Sequence, residues 1–212
     1  MHDPAAAAAP PADKPALRHR LQAERRALPD HAARSARLAS LLDAWLAGRL
    51  DVTTIGADWP IRGEFDPLPV LARWLHAPTP QAAGSTRAAH ADAARVAGLP
   101  VVEPETRRMR FQRWWPGCPM APDAYGIPEP DGTPVVVPEL LLVPCVGFGP
   151  GGIRLGYGGG YYDRMLASLD PRPATLGLAF ASGWVPTLEP GPHDIPLDAI
   201  LTEDGLTLAR DI

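Results

Sequence analysis

Cys118 and Cys145 are the only cysteines in this 212-residue chain. Two thiols make neither a disulfide framework nor a zinc cluster, and so sparse a set makes a reducing cytoplasm the expected location. Cys145 closes an apolar run, where a cysteine is a small buried hydrophobe before it is a nucleophile. No apolar stretch approaches the ~20 residues of a membrane span, so no membrane partner is expected. The net charge is -4 and the pI near 5.8. That leaves no basic excess to follow a phosphate backbone, and no nucleic-acid partner is expected. The opening MHDPAAAAAPPADKP lacks the basic start and unbroken apolar core of a signal peptide. Residues 1–13 are expected to be a disordered tail, and 14–212 one α/β domain without internal repeats.

Hydrophobic spacing predicts the elements of that domain. Residues 14–28 form a basic amphipathic helix with Leu17, Leu21 and Leu28 on one side, and Pro15 suits its first turn. Residues 31–50 form a second helix that buries Leu38, Leu41, Leu42, Trp45 and Leu46. A short strand at 52–59 precedes a helix at 65–77 started by Asp66 and Pro67. The biased segment 78–98 is expected to be a surface insertion with a short helix over 87–96. Strands are expected at 99–105, 109–115, 139–146, 174–180 and 198–203, a helix at 159–169, and irregular structure at 116–138. Strands alternating with helices argue for a mainly parallel sheet covered on both faces.

What the chain has in abundance is glycine, concentrated in GFGPGGIRLGYGGGYYDRML. This stretch, Gly147 to Leu166, holds eight glycines, three tyrosines, two arginines and one aspartate. It follows the apolar ELLLVPCV and precedes a helix. Glycine lets bare N–H groups approach a polyanion and tolerates positive φ. The helix start adds unpaired donors, Arg154 and Arg164 add charge, and Asp163 adds a hard oxygen for a cation. A merely flexible loop rarely carries Tyr161-Tyr162-Asp163-Arg164. The pattern is not GxxxxGK[ST], and Tyr161 stands where GxGxxG needs its third glycine. The residues alone thus give an anion or nucleotide site at the end of a parallel strand.

Other residues keep two readings. Lys14 and Arg18 lie one helical turn apart and repel each other modestly unless an anion sits between them; otherwise they belong to a solvated face. Asp194 is a turn former or shares a cation with Asp163. Glu64 starts a helix or holds a polar heterocycle. Met109, Trp114 and Trp115 are core or a flat apolar wall.

Taken together, RLGYGGGYYDR after a strand and VGF resembles the signature of the 5-formyltetrahydrofolate cyclo-ligase family. Lys14-x-x-Leu17-Arg18 resembles its N-terminal helix, Pro60-x-x-x-Glu64 its substrate-side acid, and Met109-x-Phe111 one of its strands. Tyr125-Gly126-Ile127 with Glu129-Pro130, and His193-Asp194 through Thr202-Glu203, also match, so the likeness spans about residues 14–208 in order. It implies a three-layer α/β/α fold, mainly parallel with Rossmann-like topology, of the NagB/RpiA/CoA-transferase-like kind. It implies a monomeric ligase of one-carbon folate metabolism that uses ATP and Mg²⁺ to convert 5-formyltetrahydrofolate to 5,10-methenyltetrahydrofolate. By the same resemblance Lys14, Arg18 and the run Arg154, Leu155, Gly156, Tyr157, Gly158, Gly159, Gly160, Tyr161 and Tyr162 bind ATP. Asp163 and Asp194 hold Mg²⁺. Trp59, Glu64, Met109 and Trp114 bind the folate. Arg154, Tyr161 and Tyr162 are the catalytic candidates, with the tyrosines lining the passage between the two sites. Two departures stand out: the family usually has Asp where this chain has Gly149, which is expected to alter cation affinity or loop rigidity, and the segment 78–98 is longer than the family's usual link between helix and strand, as a surface insertion or as a change to the folate entrance. The competing readings are a non-catalytic nucleotide- or folate-binding protein and a kinase-like enzyme for another formylated or carboxylated substrate. Lys14, Arg18, Glu64, Arg154, Asp163 and Asp194 occurring together favour the cyclo-ligase.

Overall fold

The computed structural model describes residues 13–77 and 94–208. The expected tail, apart from Asp13, and residues 78–93 of the expected insertion with most of its helix lie outside these. Helix α1 (Lys14–Arg26) starts at Asp13, whose carboxylate accepts from the Ala16 N–H at 3.3 Å; Pro15 follows in the first turn. Helix α2 (His31–Ala47) buries Leu38, Leu42 and Leu46, one turn apart, and stops at Gly48. Leu41, expected on that face, is exposed because it sits off the i, i+4 row. Strand β1 (Thr54–Gly56) follows. Helix α3 (Leu68–His76) is started by the Asp66 carboxylate, which accepts from the Leu68 N–H at 2.9 Å.

Strand β2 (Val96–Glu103) begins three residues earlier than the 99–105 expected, so 96–98 belong to the sheet and not to an insertion. It pairs antiparallel with β3 (Arg108–Trp114). The expected irregular stretch instead holds three short strands. β4 (Met120–Pro122) and β5 (Pro128–Pro130) form a separate hairpin, and β6 (Val135–Val136) pairs with β3. The prolines hid them, because proline is tolerated on edge strands. Then come β7 (Leu140–Pro144), β8 (Gly147–Phe148), β9 (Arg154–Leu155), α4 (Tyr161–Ser168), β10 (Ala174–Leu178), β11 (Ala199–Thr202) and β12 (Gly205–Leu208). Strand β12, absent from the sequence expectation, closes an antiparallel hairpin with β11.

The main sheet runs β12-β11-β10-β7-β1-β2-β3-β6, and its five inner strands β11, β10, β7, β1 and β2 are parallel. Alternate side chains of each strand face opposite layers. Leu140 and Leu142 pack with α2 and α3 in one core; Leu141 and Val143 pack with Met165 and Leu166 of α4 in the other. This is the expected three-layer α/β/α arrangement. Successive strands run outward from β1 to β2 on one side and from β7 to β10 on the other. The order therefore reverses between β1 and β7, and the C-terminal ends of those strands flank the crevice where open α/β sheets bind ligands. Helix α1 packs there too, with Leu21 among Val146, Ile153, Leu155, Val185 and Leu188.

Packing around Gly177 on β10 is tight. A Cβ there would sit 2.4 Å from Ile200 Cδ1, 2.9 Å from Leu197 Cδ1 and 3.1 Å from Cys145 Sγ, all buried. Gly177→Ala should lower stability by about 1–3 kcal/mol through overpacking. The check is urea unfolding, with a lower midpoint and an unchanged slope; an unaltered midpoint would mean the three neighbours relax freely.

Candidate active site

The glycine stretch folds back on itself. Strands β8 and β9 pair as a hairpin around a turn at Pro150–Gly152. Gly158 (φ 96°) and Gly160 (φ 65°) then take left-handed conformations that residues with a Cβ avoid, leading into α4. Arg154 is nearly enclosed, with 7 % of its side chain exposed. It donates to Ile195 O at 3.0 Å and to Asp163 Oδ1 at 2.9 Å, and its guanidinium lies 5.6 Å from the Tyr162 ring centre. The same Asp163 oxygen accepts from the Ile195 N–H at 3.0 Å. Two residues of α1 reach this region from far away in sequence. Lys14 Nζ donates to Asp194 Oδ2 at 2.8 Å, and Arg18 Nε donates to Gly156 O at 2.7 Å. Partial burial pulls the Asp194 carboxyl upward, but the Lys14 ammonium, the Gly191 N–H and Arg154 hold it below the usual range. Lys14, Arg18, Arg154, Asp163 and Asp194 are thus gathered around one loop.

A second set lies on the inner side of that loop. Tyr157 Oη donates to Glu64 Oε1 at 2.5 Å, and Arg25 Nη2 donates to the same phenol at 2.8 Å. Glu64 Oε2 accepts from the Ile61 N–H at 2.9 Å. Tyr162 Oη donates to Asp58 Oδ2. Arg25, Asp58, Glu64, Phe65, Cys145 and Phe180 line a small recess at the β1/β7 switch. Loss of water around Asp58 raises its pKa to about 7, with the Glu64 charge adding to the effect against the opposing Tyr162 hydrogen bond and Arg154 charge. Desolvation likewise raises Glu64, against the opposing pull of Tyr157, Ile61, Arg25 and Arg62. It pushes the Cys145 thiol up to about 12, which leaves that residue an inert part of the wall.

Several expected residues sit elsewhere. Trp114 is 6 % exposed inside the core with α2 and α3, so it is packing and not a ligand wall. Leu155 is buried against Leu21, which leaves only its backbone to face a ligand. Trp59 packs against the first core, and Met109 against the second. Tyr161 turns outward: its hydroxyl is 3.2 Å from that of Tyr125, and Arg164 lies over its ring. Among the described residues no three His, Cys, Asp or Glu side chains gather for a metal, and Asp163 and Asp194 are each tied to a basic side chain. Sequence reasoning missed Arg25 and Asp58. Arg25 stood within a run of basic residues typical of a solvated helix face; Asp58 directly after a central strand was the available signal.

Residues 85–203 match the model of the 5-formyltetrahydrofolate cyclo-ligase family. The chain is 36% identical over 110 residues to 5-formyltetrahydrofolate cyclo-ligase of Haemophilus influenzae, a match covering 49% of this chain and 59% of that relative. The fold resembles the NMR structure of Aquifex aeolicus 5,10-methenyltetrahydrofolate synthetase, with a TM-score of 0.73, 28% identity and 94% of each chain covered. It also resembles a 5,10-methenyltetrahydrofolate synthetase from Mycoplasma pneumoniae, with a TM-score of 0.68 at 23% identity, covering 90% of this chain and 99% of that one.

Asp58 makes the pocket sensitive to pH. Its folded pKa of about 7 lies above the ordinary value of 3.8, so its stabilising contribution is complete below 3.8 and is lost as pH rises towards 7. Asp58→Asn keeps an acceptor for Tyr162 and removes the ionisation. The melting temperature of the variant relative to wild type should therefore climb across that window and level off above it. A difference constant with pH would make Asp58 an ordinary carboxylate.

Proposed function

Since the chain belongs to the 5-formyltetrahydrofolate cyclo-ligase family, we propose that it closes 5-formyltetrahydrofolate to 5,10-methenyltetrahydrofolate with ATP and Mg²⁺, releasing ADP and phosphate. The observation that carries this is the meeting of α1 with the glycine loop: Lys14 and Arg18 join Arg154 beside bare backbone, and Glu64 faces the adjoining pocket. The chemistry needs both halves. The formyl oxygen attacks the γ-phosphorus and ADP leaves; N10 then attacks the activated carbon, and phosphate leaves with the former formyl oxygen. Oxide is too poor a leaving group to depart unaided, so ring closure is coupled to phosphoryl transfer. The protein positions the reactants and neutralises charge.

Lys14, Arg18 and Arg154 take the triphosphate, with the backbone from Gly156 to Gly160 as its cradle. Glu64 accepts from N–H groups of the pteridine, in a pocket whose Phe65 and Phe180 supply apolar surface. The donor set fits a magnesium ion that keeps phosphate oxygens and water as most of its shell, with Asp163 and Asp194 as the two carboxylates. That ion would supply charge neutralisation at the phosphates. A monomeric, cytoplasmic enzyme acting on small molecules is the setting proposed; both cysteines are free and buried, as a reducing compartment allows. Among the described residues no helix is long and apolar enough to cross a membrane.

The test is the ultraviolet absorbance of methenyltetrahydrofolate, followed with purified protein, (6S)-5-formyltetrahydrofolate, Mg²⁺ and ATP. An ATP-dependent rise is expected; ATP binding without any rise would favour a non-catalytic binding protein. Arg154→Lys keeps the charge but loses the planar fork. It should lower kcat/KM for ATP by about 10–100-fold, the range of a charged hydrogen bond. Unchanged kinetics would remove Arg154 from the site.

A further inference from the structure

Tyr157 lies in the middle of the glycine loop, between Gly156 and Gly158, and sequence order alone puts it with the nucleotide. Its side chain faces the other way. The hydroxyl donates to Glu64 and accepts from Arg25, and the Arg62 guanidinium lies 5.4 Å from its ring centre. The ring packs with the cluster around Leu21. None of these partners is Lys14, Arg18 or Arg154. Arg25 is as firmly placed. Its side chain is 6 % exposed, and each guanidinium nitrogen has a fixed acceptor: Arg62 O, Cys145 O and Tyr157 Oη. Its nearest counter-charge is Glu64, 3.8 Å away and 5 % exposed.

We infer that Tyr157 and Arg25 are positioning residues for the folate, acting through Glu64, and that the Tyr157 side chain does not serve the nucleotide. This rests on the function proposed above. The geometry fixes the carboxylate from both ends. Oε1 is held by the phenol and Oε2 by the Ile61 N–H, which leaves one lone pair on each oxygen for paired N–H donors of a planar heterocycle. Without the phenol the carboxylate loses its orientation and a donor that favours its charged form. The charged or titratable groups facing it are Arg25 on α1, Arg62 in the same turn, Asp58 after β1, Cys145 after β7, Tyr162 on α4 and Tyr157 itself. Of these, Arg25, Arg62 and Tyr157 favour the anion.

The experiment measures Kd for (6S)-5-formyltetrahydrofolate and for ATP separately by calorimetry, in wild type and Tyr157→Phe. The folate Kd should rise about tenfold, as for a lost hydrogen bond to a charged group, with the ATP Kd within twofold. The acid limb of kcat/KM for the folate should move to higher pH. Arg25→Gln should act in the same direction, and in a Glu64→Gln background Tyr157→Phe should have no further effect on folate Kd. A loss of ATP affinity with folate affinity intact, an equal loss of both, or no change in either would overturn the inference and leave the proposed function standing. Wild-type protein that neither binds nor converts the folate would overturn both.

Discussion

Two carboxyl groups at the strand ends, Asp58 after β1 and Glu64 a turn later, are drawn out of water, and the site is organised around satisfying them. Burial favours their neutral forms, and each is met by a phenol from the glycine segment: Tyr162 for Asp58 and Tyr157 for Glu64. A buried acceptor left without a donor costs far more than the bond itself contributes. The loop is therefore tied down from within by its tyrosines, although its glycines leave the backbone free to bend. Arg25 completes the arrangement by placing a buried positive charge where Glu64 and the phenol of Tyr157 meet.

The opposite face of the same loop has a different character. There the backbone is bare and the side chains are basic: Arg18 against Gly156 O, Arg154 against Asp163, and Lys14, the only lysine in the chain, against Asp194. These cations are each paired with an acid or a carbonyl, partners with which a polyanion would compete for them, so none is left unpaired. Helix α1 serves both surfaces, sending Lys14 and Arg18 to one and Arg25 to the other. It can lie so close because Gly147 has no side chain: a Cβ there would be 2.6 Å from Leu21 Cδ1.

How much of this was legible depended on whether the signal was local. The apolar runs of β7, β10 and β11 and the i, i+4 leucines of α2 state their element in a few residues, and these were found within a few residues of their observed bounds. The short strands β4, β5 and β6 were hidden by proline, and β12 by being only four residues long and opening on glycine, because edge pairing depends on neighbours and not on propensity. The same division holds in the site. Lys14, Arg18, Arg154 and Glu64 belong to short patterns and were named. The direction of each tyrosine was not readable, because Tyr157, Tyr161 and Tyr162 are chemically alike and only the fold sends them to Glu64, Tyr125 and Asp58. Trp114 failed for the converse reason: an indole fits a core as well as a ligand wall.

Gly149, where the resemblance leads one to expect an acid, is explained by packing. A Cβ at this position would lie 2.8 Å from Leu188 Cβ and 3.0 Å from Val185 O. The segment 184–188 occupies the space a side chain would need, and it braces the hairpin directly. The Val185 N–H donates to Phe148 O at 2.8 Å, and Trp184 packs against Phe148 with ring centres 5.4 Å apart. On the other strand of that hairpin stands Arg154, paired with Phe148, so the same segment braces the strand that carries the guanidinium. Rigidity that an acid at 149 was expected to lend the loop is here supplied from outside, by backbone and an aromatic pair. Restoring the acid would require 184–188 to move, and with it the support for Arg154.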